Sequence, residues 1–387
     1  MNIIYFYYNI KIKYKIIFNM NELLILMWNN GSYMINGTAK GTWRGGLEFI
    51  YKDTKFTFTN DKSLVNKCHI ILFGIYDQFR DVNFIINELK NIEKPSFQKW
   101  FTLSSENRFE FKDEDTELLL NAGIDKILYE SYSKHKNTVP GLIHRGIARE
   151  YVGDYGKDNF GPEMFFKSPV SFKKINRVFI AYSHPGEFNR FANINNVPYN
   201  FPYKSRSEYL SELMKAFPCH SFGRCNNNVG QLIDNQYTDN ECWNNKLKLC
   251  EQYKFTCAIE NCLEEMYSEK IFQAYLVSSI PIISVKDISK ILPEKSYISI
   301  HDFSSATELG NYLLKVATDK ELYESYFDWK RNPETLKKNY PKFYNMITSS
   351  QNPYFLKNLY YDEAIEDCDE ECMITYNKYV NKQSYIK

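Results

Sequence analysis

Residues Tyr253 to Asp328 constrain the fold more than any other part of the chain. Tyr253 to Ile259 alternates, placing Phe255, Cys257 and Ile259 on one face, the period of a strand. A polar turn follows at Glu260-Asn261. Ile271, Phe272, Tyr275 and Leu276 then recur at helical spacing, and Ile280 to Val285, interrupted by Pro281, reads as a second buried strand. Strand, helix, strand in this order is a βαβ unit, which favours a parallel sheet. Ligands of such sheets sit beyond the carboxyl ends of the strands, where helices begin. Here that position holds Glu260, Asn261, Ser268, Glu269 and Lys270. Carboxylates beside a lysine at a helix start suit a ligand carrying both hydroxyls and phosphates.

The rest of the chain repeats the pattern. Glu22–Trp28, Phe56–Thr59, His69–Phe73, Trp100–Leu103 and Ile124–Leu128 read as strands, with a helix over Asp81–Asn91 and another opening in residues 113–120. Residues 152–163, rich in Gly and polar side chains, read as a boundary. Beyond it, Arg177–Tyr182 is a strand, Ser205–Met214 a helix and Cys219–Phe222 a strand. Ser305 with Glu308 forms a capping box for a helix over Ala306–Val316, and Asp319 caps the next. The expectation is an α/β protein with an N-terminal extension over 1–19, one domain over 20–165, a second over 166–350 and a tail over 351–387. The tail either packs back on the first domain or frays.

Bulk properties exclude more than they select. With 387 residues and a net charge of +1, nothing favours nucleic acid. The nine cysteines include no CxxC pair and no zinc-type spacing; Cys257 lies on a core face, and Cys368 with Cys372 either bridges or caps a helix. The opening twenty residues are apolar but carry Lys11, Lys13 and Lys15, which break the run of about 20 apolar residues that a bilayer crossing needs. They read as a surface extension or a weak membrane-surface anchor, or the functional start is Met20. The expected compartment is therefore cytoplasmic or cytoplasm-facing, with the Golgi lumen left open.

Two motifs point to metal and carry a plainer reading beside it. Asp113-Glu114-Asp115 has the DxD form, yet acids opening a helix are favoured by its dipole. His220, between Cys219 and Cys225, lies on a core strand.

YKFTCAIENC, EEMYSEK, IPIISV, YISIHDFSSATELGNYLLKV and YESYFDWKR, in that order, resemble the signature of the α1,3/4-fucosyltransferases, glycosyltransferase family 10. FIAYSH, RSEYLSELMKAFPCHSFGR, TFTFTNDKSLVNKCHIILFG and KWFTLSSENR are similar to further family stretches, so the resemblance spans most of the chain beyond residue 20. It implies a GT-B fold, two Rossmann-like domains with parallel sheets facing a central cleft. It also implies an inverting transferase with GDP-fucose as donor, an oligosaccharide or glycoconjugate as acceptor and no obligatory metal. The matching positions assign Lys270 and Arg206 to the diphosphate, Glu260, Asn261 and Glu269 to sugar hydroxyls, Ser183, on the strand-end loop, to donor binding and Glu106 to the general base. From Glu260 to Glu269 the chain is one residue shorter than the pattern. The motif tyrosine then falls on Met266 or Tyr267, and Tyr267 is preferred because a phenol donates a hydrogen bond. Cys262 stands where the family has a serine or threonine. Other readings are another sugar nucleotide in the same fold, or a binding protein without catalysis.

Overall fold

The computed structural model describes residues 22–28, 48–51, 54–75, 82–104, 113–129, 138–140, 164–189, 199–230, 240–261, 263, 269–285, 292–348 and 360–361. They form two sheets. The first has seven strands: β1 (Glu22–Met27), β2 (Glu48–Tyr51), β3 (Thr54–Thr59), β4 (Ile70–Ile75), β5 (Lys99–Ser104), β6 (Lys126–Tyr129) and β7 (Thr138–Pro140), in the order β2-β3-β1-β4-β5-β6-β7. Every pairing is parallel except β2 with β3, an antiparallel edge. Helices α1 (Val82–Leu89) and α2 (Asp113–Asn121) lie between the strands in sequence. Phe73, Ile85, Leu89, Trp100, Leu119 and Ile127 pack as one core. His69 sets the register between β1 and β4. Its Nδ1 accepts from the Leu24 N–H at 2.9 Å, and burial lowers its pKa, so the ring stays a neutral acceptor.

The second sheet has five strands, all parallel: β8 (Ile175–Ile180), β9 (Cys219–Ser221), β10 (Tyr253–Ala258), β11 (Ile280–Ile283) and β12 (Ile298–Ser299), in the order β12-β11-β10-β8-β9. Its helices are α3 (Met164–Lys167), α4 (Arg206–Ala216), α5 (Asn240–Cys250), α6 (Glu269–Leu276), α7 (Ala306–Thr318), α8 (Lys320–Ser325), α9 (Pro333–Asn339) and α10 (Pro341–Thr348). Strand β10 is buried at every residue, as a central strand of a doubly covered parallel sheet must be. Phe255 and Cys257 face α4 and α7; Tyr253 and Ala258 face α5 and α6. Pro281 lies inside β11, opposite Thr256. Pairing with β12 begins only at Ile282, so the strand is still an edge where the proline sits.

Ser305 caps α7 by accepting from the Glu308 N–H, and Asp319 caps α8 by accepting from Leu322. The carboxyl end of α7 meets Lys254, 1% exposed, whose Nζ donates to Ala317 O at 2.7 Å and lies 3.4 Å from the Phe172 ring centroid. Near the end of the chain, the Tyr360 hydroxyl donates to Phe97 O at 2.7 Å and its ring meets His69 edge-on, bringing the chain back to the first sheet.

Candidate active site

In the second sheet the strand order reverses beside β8. After β8 the chain steps outward to β9; it then returns to the other side of β8 as β10 and continues to β11 and β12. The loops leaving β8 and β10 therefore diverge at one point on the carboxyl edge, where sheets of this kind bind ligands. Ser183, Glu260 and Asn261 lie on those two loops, and Arg206 and Glu269-Lys270 open the helices α4 and α6 that follow β8 and β10.

Arg206 fastens the two loops together. It is 2% exposed; Nη1 donates to Ile259 O at 3.0 Å, on the β10 side, and Nη2 donates to His184 O at 2.6 Å, on the β8 side. Its guanidinium carbon lies 3.6 Å from the Tyr182 ring centroid. Nε is buried and has no hydrogen-bond partner among the described residues. The Tyr182 hydroxyl donates to Cys257 O at 2.5 Å, and burial pushes that phenol well above its ordinary range.

Two glycines allow the close approach. Gly186 has φ +69°, and a Cβ there would stand 3.1 Å from Asn261 O and 3.3 Å from Arg206 Cβ. The turn it makes lets Glu187 N donate to Asn261 O and Ser207 N to Pro185 O. Gly223, just after β9, lies against Tyr182: a Cβ would fall 2.0 Å from the Tyr182 carbonyl oxygen, which no side chain tolerates. Cys225 N donates to that same oxygen.

Glu260 is 1% exposed. Its backbone N–H donates to Ser284 Oγ at 2.9 Å, and its carboxylate accepts from Lys270 Nζ at 3.0 Å. Lys270 keeps 19% of its side chain exposed, so the pair is buried on the acid side and opens to solvent on the cation side. Ser183 and Asn261 are half-buried beside it.

The structure thus brings Ser183, Arg206, Glu260, Asn261 and Lys270 to one place. Glu106, Tyr267, Met266 and Cys262 lie outside the described residues, as does the side chain of Glu269, whose backbone begins α6. Cys368 and Cys372 also lie outside. Sequence reasoning missed Tyr182 and Gly223. The signal was available: both stand at strand ends next to loops already singled out. His220 Nδ1 meets the Tyr253 hydroxyl at 2.8 Å on β9, Glu114 is exposed in the first turn of α2, and no group of three His, Cys, Asp or Glu is close enough to hold a metal among the described residues. Burial pushes the Cys257 thiol to about 11, so it stays protonated and unreactive.

Two α/β units built on parallel sheets, with a candidate site on the carboxyl edge of the second, are the architecture of the GT-B fold. A solved α1,3-fucosyltransferase has this fold, with TM-score 0.54 and 16% identity over 89% of this chain and 92% of that one. Residues 194–353 match the family model "Glycosyltransferase family 10 (fucosyltransferase) C-term". The chain is 24% identical over 335 residues to rat 4-galactosyl-N-acetylglucosaminide 3-alpha-L-fucosyltransferase 9, covering 84% of this chain and 75% of the relative. The human counterpart is also 24% identical. Drosophila melanogaster Alpha-(1,3)-fucosyltransferase B is 33% identical over 150 residues, 37% of this chain and 33% of the relative. The chain resembles the α1,3-fucosyltransferases over most of its length, and its reaction is fucosyl transfer.

These relatives correct the expected compartment. The cytoplasm-facing default rested on the lack of a convincing anchor. The similarity is instead to animal enzymes named for fucosylating a galactosyl-N-acetylglucosaminide, and the default falls with it. No helix is long and apolar enough to cross a membrane among the described residues.

Proposed function

We propose that the chain transfers L-fucose from GDP-fucose to a hydroxyl of an oligosaccharide or glycoconjugate, with inversion at the sugar carbon and no obligatory metal. The observation that carries this is the junction of the β8 and β10 loops through Arg206, which sets the Glu260–Lys270 pair at the switch point with its cation toward solvent. Cleaving a sugar–phosphate bond builds negative charge on the departing diphosphate, and a fixed cation at a helix start stabilises that charge without reorganising.

In this reading Lys270 holds the diphosphate, and Arg206 adds its charge while holding the loops in place. Glu260, Asn261, Glu269 and Ser183 take sugar hydroxyls, and Tyr267 donates to the sugar phosphate. Glu106, two residues beyond the end of β5, is the general base that takes the acceptor proton. The names of the relatives support an α1,3 linkage. Residues 20–165 form the acceptor side and 166–350 the donor side, flanked by the extension 1–19 and the tail 351–387. The test is thermal shift with GDP, UDP and ADP, followed by donor turnover in wild type and Glu106→Gln. A preference for GDP, with turnover lost in the variant and binding kept, supports the reading; indifference among the nucleotides contradicts it.

A further inference from the structure

Just past the last paired residues of the second sheet, one peptide group is held at both ends. Strand β10 is last paired with β11 at Ala258 and Ile283, and β11 with β12 at Ile283 and Ser299. Beyond these pairs lies the peptide joining Ile259 to Glu260. Its carbonyl accepts from Arg206 Nη1 at 3.0 Å, and its N–H donates to Ser284 Oγ at 2.9 Å. A peptide group is planar, so fixing its oxygen and its hydrogen fixes the plane, and with it the direction in which Glu260 leaves the strand. Ser284 is buried and is held in turn: its own carbonyl oxygen lies 2.7 Å from His301 Nε2. A carbonyl only accepts, so the imidazole carries a proton on Nε2 and donates it. His301 is half-buried in the turn Ile300–Asp302 that follows β12. Its backbone N–H donates to Ser299 Oγ at 3.2 Å, and the Phe201 ring meets it edge-on at 5.5 Å. Three neighbouring strands thus end in one chain of contacts. It runs from His301 after β12 to Ser284 after β11 and Glu260 after β10, and from the Glu260 carboxylate to Lys270 in the first turn of α6.

We propose that His301 is a positioning residue for fucosyl transfer. Acting through Ser284, it sets the Ile259–Glu260 peptide and so aims the Glu260 carboxylate at Lys270, the cation assigned to the diphosphate. This rests on the donor reading above. A buried carbonyl that loses its donor is costly, so without the imidazole the turn after β11 shifts to find another, and Glu260 shifts with it. A misplacement of about 1 Å in a group that orders a reacting site is enough to cost much of its effect. The sequence resemblance gives neither His301 nor Ser284 a role.

The test is equilibrium binding of GDP-fucose to the full chain, in wild type, His301→Leu, His301→Gln, Ser284→Ala, Glu260→Gln and the double variant of His301→Leu with Glu260→Gln, each checked for a melting transition. His301→Leu weakens binding about tenfold, and His301→Gln, whose amide reaches the same carbonyl, binds within about twofold of wild type. Ser284→Ala keeps the carbonyl that His301 meets and removes the hydroxyl that Glu260 meets. It weakens binding about fivefold, and it carries the test if His301→Leu does not fold. In the Glu260→Gln background the effect of His301→Leu shrinks to about twofold, because both changes act through one side chain. Wild-type affinity in His301→Leu or Ser284→Ala overturns the proposal and leaves the donor reading standing. An equal loss in His301→Gln, or full additivity with Glu260→Gln, also overturns it, since either marks a histidine that serves only the fold. If wild type does not bind GDP-fucose, the donor reading falls and the role of His301 with it.

Discussion

At the scale of the residue, the Glu260–Lys270 pair is asymmetric, and so are the effects of breaking it. Glu260 is sealed at 1% exposure, while Lys270 reaches solvent. Lys270→Ala removes the cation from a carboxylate held in the interior and lowers unfolding free energy by about 3 kcal/mol. Glu260→Gln leaves an ammonium that can turn outward and costs roughly 1 kcal/mol. Urea titration of the two variants measures the difference, and equal losses would refute the asymmetry. These residues were legible in the sequence because chemistry, not packing, singles them out: a carboxylate, an amide and a Glu-Lys pair at a strand-to-helix junction. What could not be read was how Arg206 is used. An arginine opening a helix looks like a surface cation. Only the fold reveals that its fork spans two backbone carbonyls from loops far apart in sequence, Ile259 and His184.

At the scale of the element, the carboxyl edge of the second sheet depends on backbone approaches that admit no side chain. Gly223→Ala drives a methyl group into the Tyr182 backbone, so Tyr182 must move and the Arg206 stack with it. The expected outcome is a loss of about 3 kcal/mol in stability together with weakened donor binding. Unchanged melting and donor affinity in this variant would show that the approach is not required. The strands and helices with strong patterns were recoverable, down to the caps at Ser305 and Asp319. Those not read were the strands β2 and β7 and the helices α3, α5, α9 and α10. The two strands are short edge segments with little alternation to display. Helix α5, NECWNNKLKLC, places its apolar residues among asparagines, which are poor helix formers; it is held by burying Leu247 and Cys250 against β10 and its neighbours.

At the scale of the whole molecule, the entry into the second unit is tied down by a buried cation. Lys330 Nζ donates to Ser168 Oγ at 2.6 Å and to Ser278 Oγ, and the two hydroxyls meet at 2.6 Å. This joins the segment after α3 to the turn between α6 and β11. Burial, with Lys174 nearby as the lesser cause, brings the Lys330 ammonium down to about 7 from an ordinary 10.5. Between those values the unfolded chain binds the extra proton, so this group makes stability rise with pH above about 7, by at most about 1.4 kcal/mol per pH unit. Wild type minus Lys330→Met, compared by urea titration at pH 7 and pH 8.5, should therefore shift in favour of wild type at the higher pH. A difference that does not move with pH would contradict the assignment. The tie was invisible in the sequence because Ser168, Ser278 and Lys330 lie far apart along the chain, and no pattern in the sequence links them.

The central claim is that the junction of the β8 and β10 loops holds the sugar nucleotide from which fucose is transferred. Its most direct test is transfer of labelled fucose from GDP-fucose to a galactosyl-N-acetylglucosamine acceptor, by wild type and by Lys270→Gln verified as folded. The account predicts transfer by wild type and a fall of about 100-fold in kcat/KM in the variant. Transfer at the wild-type rate without the Lys270 ammonium would contradict it.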